Sequence, residues 1–319
     1  MPPESTDPRL IRAVSWRDVR RADPCVVALG NFDGVHLGHG RILDSLVEES
    51  RRQGVAPVVV TFDPHPRYYF KPGEKASLLC TLAEKLELLA AWPVEVIPLA
   101  FDRDLAGLEP EAFIMEFLQE RLRGKRFLLG QDHRFGKGAR GDGNLLKSRV
   151  ENPATDVIML EPLVLAGEVV SSSAIRAHLE AGRVVEANRL LGRTFGYSGV
   201  VGRGEGRGRG LGFPTANLDI GSTHKAMVAH GVYGASVRIQ DRDAPAIANI
   251  GVNPTFDGDR VKIEVHLLDF QGDLYGRRLE LKLLFQVRPE RKFPSVDALK
   301  AQVAEDIRGT RARLAGDLD

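Results

Sequence analysis

The sequence predicts a chain in two parts. The first is an α/β half built on a mostly parallel, doubly wound sheet, and the second is an antiparallel β-barrel followed by a terminal helix. Three observations carry this. From about Ala22 to Leu165, apolar runs of strand length alternate with stretches of helical periodicity, the pattern of strands joined by crossover helices. Near Gly192 that periodicity gives way to short apolar runs separated by glycine, which suits hairpin-connected strands. After Ser295 an apolar stripe returns at Val296, Leu299, Val303, Ile307 and Leu314, marking one last helix. A length of 319 residues suits roughly two domains, and the change of pattern places them at 1–190 and 191–319.

Composition narrows the classes of function. With 43% hydrophobic and 27% charged residues, the chain has the make-up of an ordinary globular protein. A net charge of +1 offers no general attraction to nucleic acid or an anionic membrane. Cys25 and Cys80 form no C-x-x-C pair, so no disulfide framework is expected. The polar, proline-containing stretch from Met1 to Asp7 is no secretory signal, and no apolar run approaches a membrane span. The expected setting is the cytoplasm.

The first strand is Cys25–Leu29, and Gly30-Asn31-Phe32-Asp33-Gly34-Val35-His36-Leu37-Gly38-His39 follows it. Arg41 to Gln53 then carries Ile42, Leu43, Leu46 and Val47 on one side and stops at Gly54. A strand, a loop with Gly30 and Gly34, and a helix with two histidines in its first turn make a candidate phosphate site. Glycines allow close approach of the backbone, and the helix N-terminus favours an anion. The plain alternative is a strand–glycine–helix turn that binds nothing. His36 and His39 could also be half of a zinc site, but no nearby Cys or His supplies the other ligands.

Pro57–Phe62 is the second strand and completes a βαβ unit. Asp63-Pro64-His65-Pro66 ends it with two prolines, and in a parallel sheet this loop lies beside the first one. His65 is a site candidate or a surface histidine in a rigid turn. Thr81-Leu82-Ala83-Glu84 is a capping box that opens a helix through Leu82, Leu86 and Leu89. Val94–Leu99 is a third strand, and Glu109–Leu122 an amphipathic helix whose Phe113, Ile114, Phe117 and Leu118 pack the core. Arg126–Gly130 is a fourth strand leading to Gln131-Asp132-His133-Arg134-Phe135-Gly136. Lys137 to Asn144 is glycine-rich and polar, either a mobile basic loop that closes over phosphates or a solvated connection. Asp156–Leu163 is a fifth strand. Ser171-Ser172-Ser173-Ala174-Ile175-Arg176 opens a helix that runs to about Ala181. Serines there serve first as caps, yet with Arg176 one turn in they form a second candidate anion site.

These motifs carry a resemblance. His36-Leu37-Gly38-His39 resembles the H-x-G-H signature of nucleotidylyl transferases, whose sheet is Rossmann-like, and Ser171–Arg176 resembles their second phosphate motif. The series G-x-F-D-G-x-H-x-G-H, F-D-P-H-P, G-x-D-x-R-F-G and S-S-x-x-I-R is similar to the FMN adenylyltransferase module of bacterial bifunctional riboflavin kinase/FAD synthetases.

In the second half Tyr197–Val201 is a strand. Gly202–Gly212 then holds six glycines and three arginines in eleven residues. Such a run in a disordered tail can bind RNA. Here it is short and embedded between strands, which favours a nucleotide-binding loop, though no Gly-Lys-Ser/Thr of a Walker loop follows. Gly231–Ile239, Ala246–Ile250 and Leu279–Phe285 are further strands, and Asn253-Pro254-Thr255 a turn. Val261 to Leu267 alternates cleanly, with Lys262, Glu264 and His266 on the polar face. A carboxylate there is ordinarily just solvated.

This half resembles the riboflavin kinase module of the same enzymes. The resemblance lies in Gly210-Leu211-Gly212-Phe213-Pro214-Thr215-Ala216-Asn217, Gly231-Val232-Tyr233, Asn249–Phe256, Glu264–Asp269, Leu274-Tyr275-Gly276 and Arg291-Lys292-Phe293. It implies phosphorylation of riboflavin by ATP, then adenylylation of FMN to FAD with release of pyrophosphate. In the kinase half it implies Glu264 as catalytic base, Mg2+ held at Thr215 and Asn217, and ATP against Gly210, Gly212, Phe213 and Pro214. Arg291 and Phe293 would meet the flavin. In the transferase half it implies His36, His39 and Arg176 in catalysis and ATP against Gly30, Phe32, Asp33, Gly34, Ser172 and Ser173. Phe62, Pro64, Asp132 and Phe135 would lie near the flavin there. His133 replaces a usual aromatic residue and Ser173 a usual threonine. The expected partners are therefore small molecules, without nucleic acid or membrane, and a homo-oligomer is left open. Two rivals stand beside this. One is another adenylyl- or cytidylyltransferase with an unrelated β domain, and the other a flavin-binding regulator without turnover.

Overall fold

Strand β1 (Cys25–Leu29) is central to the first half because all five of its residues are apolar and buried. The computed structural model describes residues 12–71, 77–150, 156–203, 212–221, 224–239, 242–255, 258–270 and 272–316. In chain order β1 is followed by α1 (Leu37–Gln53), β2 (Ala56–Asp63), α2 (Pro66–Phe70), α3 (Leu82–Leu89) and β3 (Glu95–Ala100). Next come α4 (Arg103–Ala106), α5 (Pro110–Ala112), β4 (Gly124–Gly130), α6 (Gly143–Arg149) and β5 (Asp156–Leu160). The five strands form one sheet in the order β3-β2-β1-β4-β5, parallel at every pairing.

Both faces of this sheet are covered, as a doubly wound fold requires. Cys25, Val27 and Leu29 point into one apolar cluster with Phe113, Phe117 and Phe127. Val26 and Ala28 point into another with Phe32, Leu43 and Leu46 of the loop and α1. Burial pushes both cysteine thiols up to about 12, which keeps them protonated.

Several elements depart from expectation. The helix expected at Glu109–Leu122 continues from α5 as a π-helix over Phe113–Arg121, which keeps its four core residues buried at a wider repeat. The stretch Lys137–Asn144 is a 3-10 turn at Lys137–Ala139 followed by α6, capped by Asp142. Lys137 and Arg140 there both pair with Glu109. A short hairpin, β6 (Val164–Leu165) with β7 (Glu168–Val169), follows β5.

The chain divides into two compact units between Ser172 and Ser173. Helices α7 (Ser172–Glu180) and α8 (Val184–Leu191) come at this point. They are joined to the barrel: Ala229 N–H donates to the Leu179 carbonyl at 2.9 Å. Asn188 donates to the Leu283 carbonyl and accepts from Phe195 N–H. The change of sequence pattern near Gly192 and this packing division mark different things, since two helices precede the strands on which they pack.

The second unit contains β8 (Gly196–Gly202), β9 (Ala216–Asp219), β10 (Gly231–Ile239), β11 (Arg242–Thr255), β12 (Gly258–Leu267), β13 (Arg278–Pro289) and α9 (Val296–Ala315). The six strands close into a barrel in the order β10-β11-β12-β9-β8-β13, antiparallel at each pairing. Closure removes the exposed sheet edge. Tyr197, wholly buried, donates its hydroxyl to the Ala226 carbonyl and accepts from Val228 N–H. The expected turn at Asn253–Thr255 lies inside β11, paired to β12 through Thr255. Ser295 caps α9 through Ala298 N–H, and Arg288 on β13 pairs with the buried Asp306 of that helix at 2.9 Å.

Candidate functional site

Each unit gathers a group of the residues singled out above. In the first, Gly30 follows β1 with its N–H on the Val60 carbonyl, and the chain turns through Asn31–Gly34 into α1. Phe32 and Val35 take positive φ values of 48° and 38° beside Gly34 at 82°. Such backbone at non-glycine residues costs on the order of 1–3 kcal/mol each and persists only where the surroundings over-determine it. Here they do. Phe32 is wholly buried with Val26 and Leu43. Asp33 is buried and accepts from the N–H groups of Leu79 and Cys80, at 2.9 and 3.3 Å. Gly34 N–H donates to Cys80 Sγ at 3.0 Å, and a Cβ on Gly34 would lie 2.8 Å from that of Leu79.

His36 is the N-cap of α1, not a residue of its first turn, and His39 is the third helical residue. Each imidazole Nδ1 accepts the other's backbone N–H at 3.3 Å. This is a capping box with histidine on both sides in place of the usual Ser/Thr and Glu/Gln. A ring nitrogen that accepts carries no proton, so both rings hold theirs on Nε2. The rings stack at 3.7 Å and 15°. Two N–H donors are thereby held in parallel at a helix N-terminus, where an anion is favoured.

Ser172 Oγ, at the end of the first unit, donates to the Asp33 carbonyl at 2.9 Å. Ser173, exposed, and Arg176, partly buried, lie on α7 beyond that division, in the second unit. Because β1 lies between β2 and β4 in a parallel sheet, the segments after all three strands leave from one edge, where ligands bind in open α/β folds. Phe62 is buried at the end of β2 and Pro64 follows it; Asp132 is exposed after β4. Phe135 is buried against Phe113 at 5.5 Å and parallel to His133 at 6.4 Å. His133 keeps some surface, but its Nε2 is buried without a hydrogen-bond partner among the described residues. Burial pushes its pKa down to about 4.

Beneath the loop lies a residue the sequence did not single out. Lys85 of α3 is 5% exposed, and its Nζ donates to Thr61 Oγ1 at 3.1 Å and the Phe62 carbonyl at 3.4 Å. An interior ammonium costs several kcal/mol unless compensated. Burial lowers the Lys85 pKa, and the Asp33 and Asp63 carboxylates act against that shift. Desolvation in turn raises Asp63.

In the barrel, Asn217 of β9 and Glu264 of β12 are direct cross-strand partners, and Asn249 of β11 stands opposite Glu264 on its other side. Directly opposed residues share a face with Cβ atoms about 4.5–5.5 Å apart. The neighbours Ile263 and Val265 point inward and are buried, so the Glu264 carboxylate, 25% exposed, lies on the outer face with Lys262 Nζ at 2.9 Å. Thr215 comes just before β9, two residues ahead of Asn217. His266, two after Glu264, sets its Nδ1 2.8 Å from the Pro214 carbonyl and its ring edge-on to Phe213 at 6.1 Å. A carbonyl only accepts, so Nδ1 is the donor there. Gly212 has φ +91°; Gly210 lies outside the described residues. Arg291 and Phe293 come after β13, the guanidinium 4.9 Å over the ring with Arg291 also bonded to Gln302 of α9.

Asn217 carries a side-chain amide oxygen opposite Glu264, and Thr215 a hydroxyl two residues before it. Two hard oxygen donors beside a carboxylate fit Mg2+, which is ordinarily shared with substrate phosphates. Among the described residues no group of three or more His, Cys, Asp or Glu could hold a metal ion.

The FAD synthetase family model matches residues 18–174, and the riboflavin kinase family model matches residues 191–314. A bifunctional riboflavin kinase/FMN adenylyltransferase of Escherichia coli K12 is 38% identical over 300 residues, 93% of this chain and 95% of that one. The chain belongs to the bifunctional riboflavin kinase/FMN adenylyltransferase family. The Pseudomonas fluorescens member is 39% identical over 91% of this chain and 93% of its own. A crystal structure of a macrolide-efflux protein from Streptococcus pneumoniae matches with a TM-score of 0.85 and 32% identity, covering 93% of this chain and 97% of that one. Among the described residues no helix is long and apolar enough to cross a membrane. The chain is thus a bifunctional enzyme, with the FAD synthetase module first and the riboflavin kinase module second.

Lys85, Thr61 and His266 went unassigned in the sequence. His266 had one legible signal, its place on the polar face of the Glu264 strand. Lys85 and Thr61 had none, since a lysine in a capped helix and a threonine in an apolar strand both read as ordinary.

Proposed function

We propose that residues 191–319 transfer the γ-phosphoryl group of ATP to riboflavin at the Asn217–Glu264 pair. Residues 1–190 then transfer the AMP moiety of ATP to the FMN phosphate at the Gly30–His39 loop, the α–β phosphoanhydride bond breaking to release pyrophosphate. The single observation that carries the first assignment is the register that sets the Glu264 carboxylate directly opposite the Asn217 amide. Glu264 accepts the proton of the ribityl 5′-hydroxyl as that oxygen attacks, ordinary general-base work. Lys262 holds the carboxylate, and His266 ties the Phe213–Pro214 segment to the Glu264 strand. Thr215 and Asn217 would hold Mg2+, which when bound supplies positive charge against the phosphates. Arg291 and Phe293 would meet the flavin.

In the transferase half the FMN phosphate is already ionised, so no base is required. His36 and His39 present Nε2–H donors to the phosphate oxygens of ATP, and preorganised donors of this kind are the main source of charge stabilisation. Ser172, Ser173 and Arg176 would hold the leaving pyrophosphate, with Phe62, Pro64, Asp132 and Phe135 around the flavin. Asp33 and Phe32 serve the same site by shaping the loop. The expected setting is the cytoplasm, with small-molecule partners and no nucleic acid.

Incubation with riboflavin and ATP, with Mg2+ or with excess EDTA, followed by chromatography, tests the proposal. FMN and then FAD should form with Mg2+ and neither with EDTA. Equal yields in both would remove the metal from Thr215 and Asn217, and absence of both products would contradict the assignment as a whole.

A further inference from the structure

We propose that Lys85 is a positioning residue for adenylyl transfer, its buried ammonium bracing the Gly30–His39 loop from beneath through Thr61. The contacts run in one direction. Thr61 is wholly buried, and its single hydroxyl proton goes to the Asn31 carbonyl at 3.0 Å. Its lone pairs can therefore only accept, and Lys85 Nζ donates to them at 3.1 Å. The same ammonium reaches the Phe62 carbonyl at 3.4 Å, one residue before Asp63 and the Pro64 turn. One cation thus joins the ends of β1 and β2 at the sheet edge from which both loops leave.

The α3 segment holds the loop a second time. Leu79 and Cys80 donate to Asp33, and Cys80 Sγ accepts from Gly34. The left-handed residues Phe32 and Val35 sit within this clamped stretch, and His36 follows at once as the helix cap. Loosening Lys85 or Thr61 shifts Asn31, and with it the direction of the His36 and His39 donors. Misplacement of a catalytic group by about 1 Å can cost about 10²-fold in rate. The alternative is a lysine that only neutralises Asp33 and Asp63 in the core. Such a lysine would affect stability and leave kcat and KM alone. Lys85 can act as proposed only if the loop is the phosphate site assigned above.

Steady-state kinetics of FMN adenylylation should be measured for Lys85→Met, Thr61→Val and the double variant, with riboflavin phosphorylation by the same chains as internal control. Thr61→Val keeps size and the lysine charge while breaking the relay. Each single variant should lower the adenylylation kcat by about tenfold to 10²-fold, and the double should be no worse than the worse single. Folded Lys85→Met or Thr61→Val with kcat and KM within about twofold of wild type would overturn the inference. So would losses that multiply in the double variant, since groups acting through one contact are not additive. If Lys85→Met does not fold, Thr61→Val alone decides. His36→Ala separates the two levels: if it keeps adenylylation, the site assignment fails. If His36→Ala loses activity while Thr61→Val does not, the brace alone fails.

Discussion

Asn217 and Glu264 face each other across the β9–β12 pairing. One contributes an amide oxygen and the other a carboxylate, side by side on the outer face of a closed barrel. A cross-strand pair of this kind is set by register, and a slip of one residue would put the two side chains on opposite faces. The chemistry of the second unit depends on that register.

If Asn217 and Thr215 hold Mg2+, Asn217→Ala and Thr215→Ala should each raise the Mg2+ concentration needed for half-maximal riboflavin phosphorylation, by tenfold or more on the order of one lost charge-assisted contact. Conversion of supplied FMN to FAD should stay as it was. A titration of Mg2+ at fixed ATP checks this, and an unchanged midpoint in both variants removes these residues as ligands.

The reciprocal cap between His36 and His39 makes a spectroscopic prediction. Nitrogen-15 shifts of both rings near pH 7.5 should show Nδ1 unprotonated and Nε2 carrying the hydrogen, because each Nδ1 accepts a backbone N–H. His36→Ala should remove the cap at a cost of about 1 kcal/mol and lower FAD formation by roughly 10²–10³-fold, the scale for a preorganised donor. Rings protonated on Nδ1, or unaltered FAD synthesis, would contradict the assignment.

His133 predicts a pH dependence of stability. Its ring is neutral when folded down to about pH 4, whereas an imidazole in the unfolded chain gains a proton near pH 6.5. Between those values the unfolded state binds the additional proton. The stability associated with keeping this ring neutral is complete above about pH 6.5 and is lost as the pH falls towards 4. Urea unfolding at pH 7 and pH 5 should show a loss that His133→Phe reduces. An equal loss in both proteins would mean that His133 does not contribute to it.

Much of this was legible in the sequence for physical reasons. Cys25–Leu29 is uniformly apolar because it is buried on both faces, and Lys262, Glu264 and His266 share one face because strands alternate. The Thr81–Glu84 capping box and the Ser295 cap formed as their side chains dictate. Other features depended on packing. The π-helix at Phe113–Arg121 keeps the residue pattern of an α-helix, and Pro254 suggested a turn although it lies in a strand. Lys85 sits in an ordinary Glu-Lys-Leu helical stretch; only the folded chain brings it under Thr61 and Asp33. The N-cap role of His36 was hidden because cap and first turn share the same residues in sequence.

The central claim is that two separate sites act in series, with Glu264 serving only the first. Chromatography of products from folded Glu264→Ala, supplied in parallel with riboflavin or with FMN plus ATP and Mg2+, tests it most directly. Riboflavin phosphorylation should fall by about 10²–10⁴-fold, the contribution of a general base, while FMN is still converted to FAD. Loss of both activities, or FMN formation at the wild-type rate, would contradict the account.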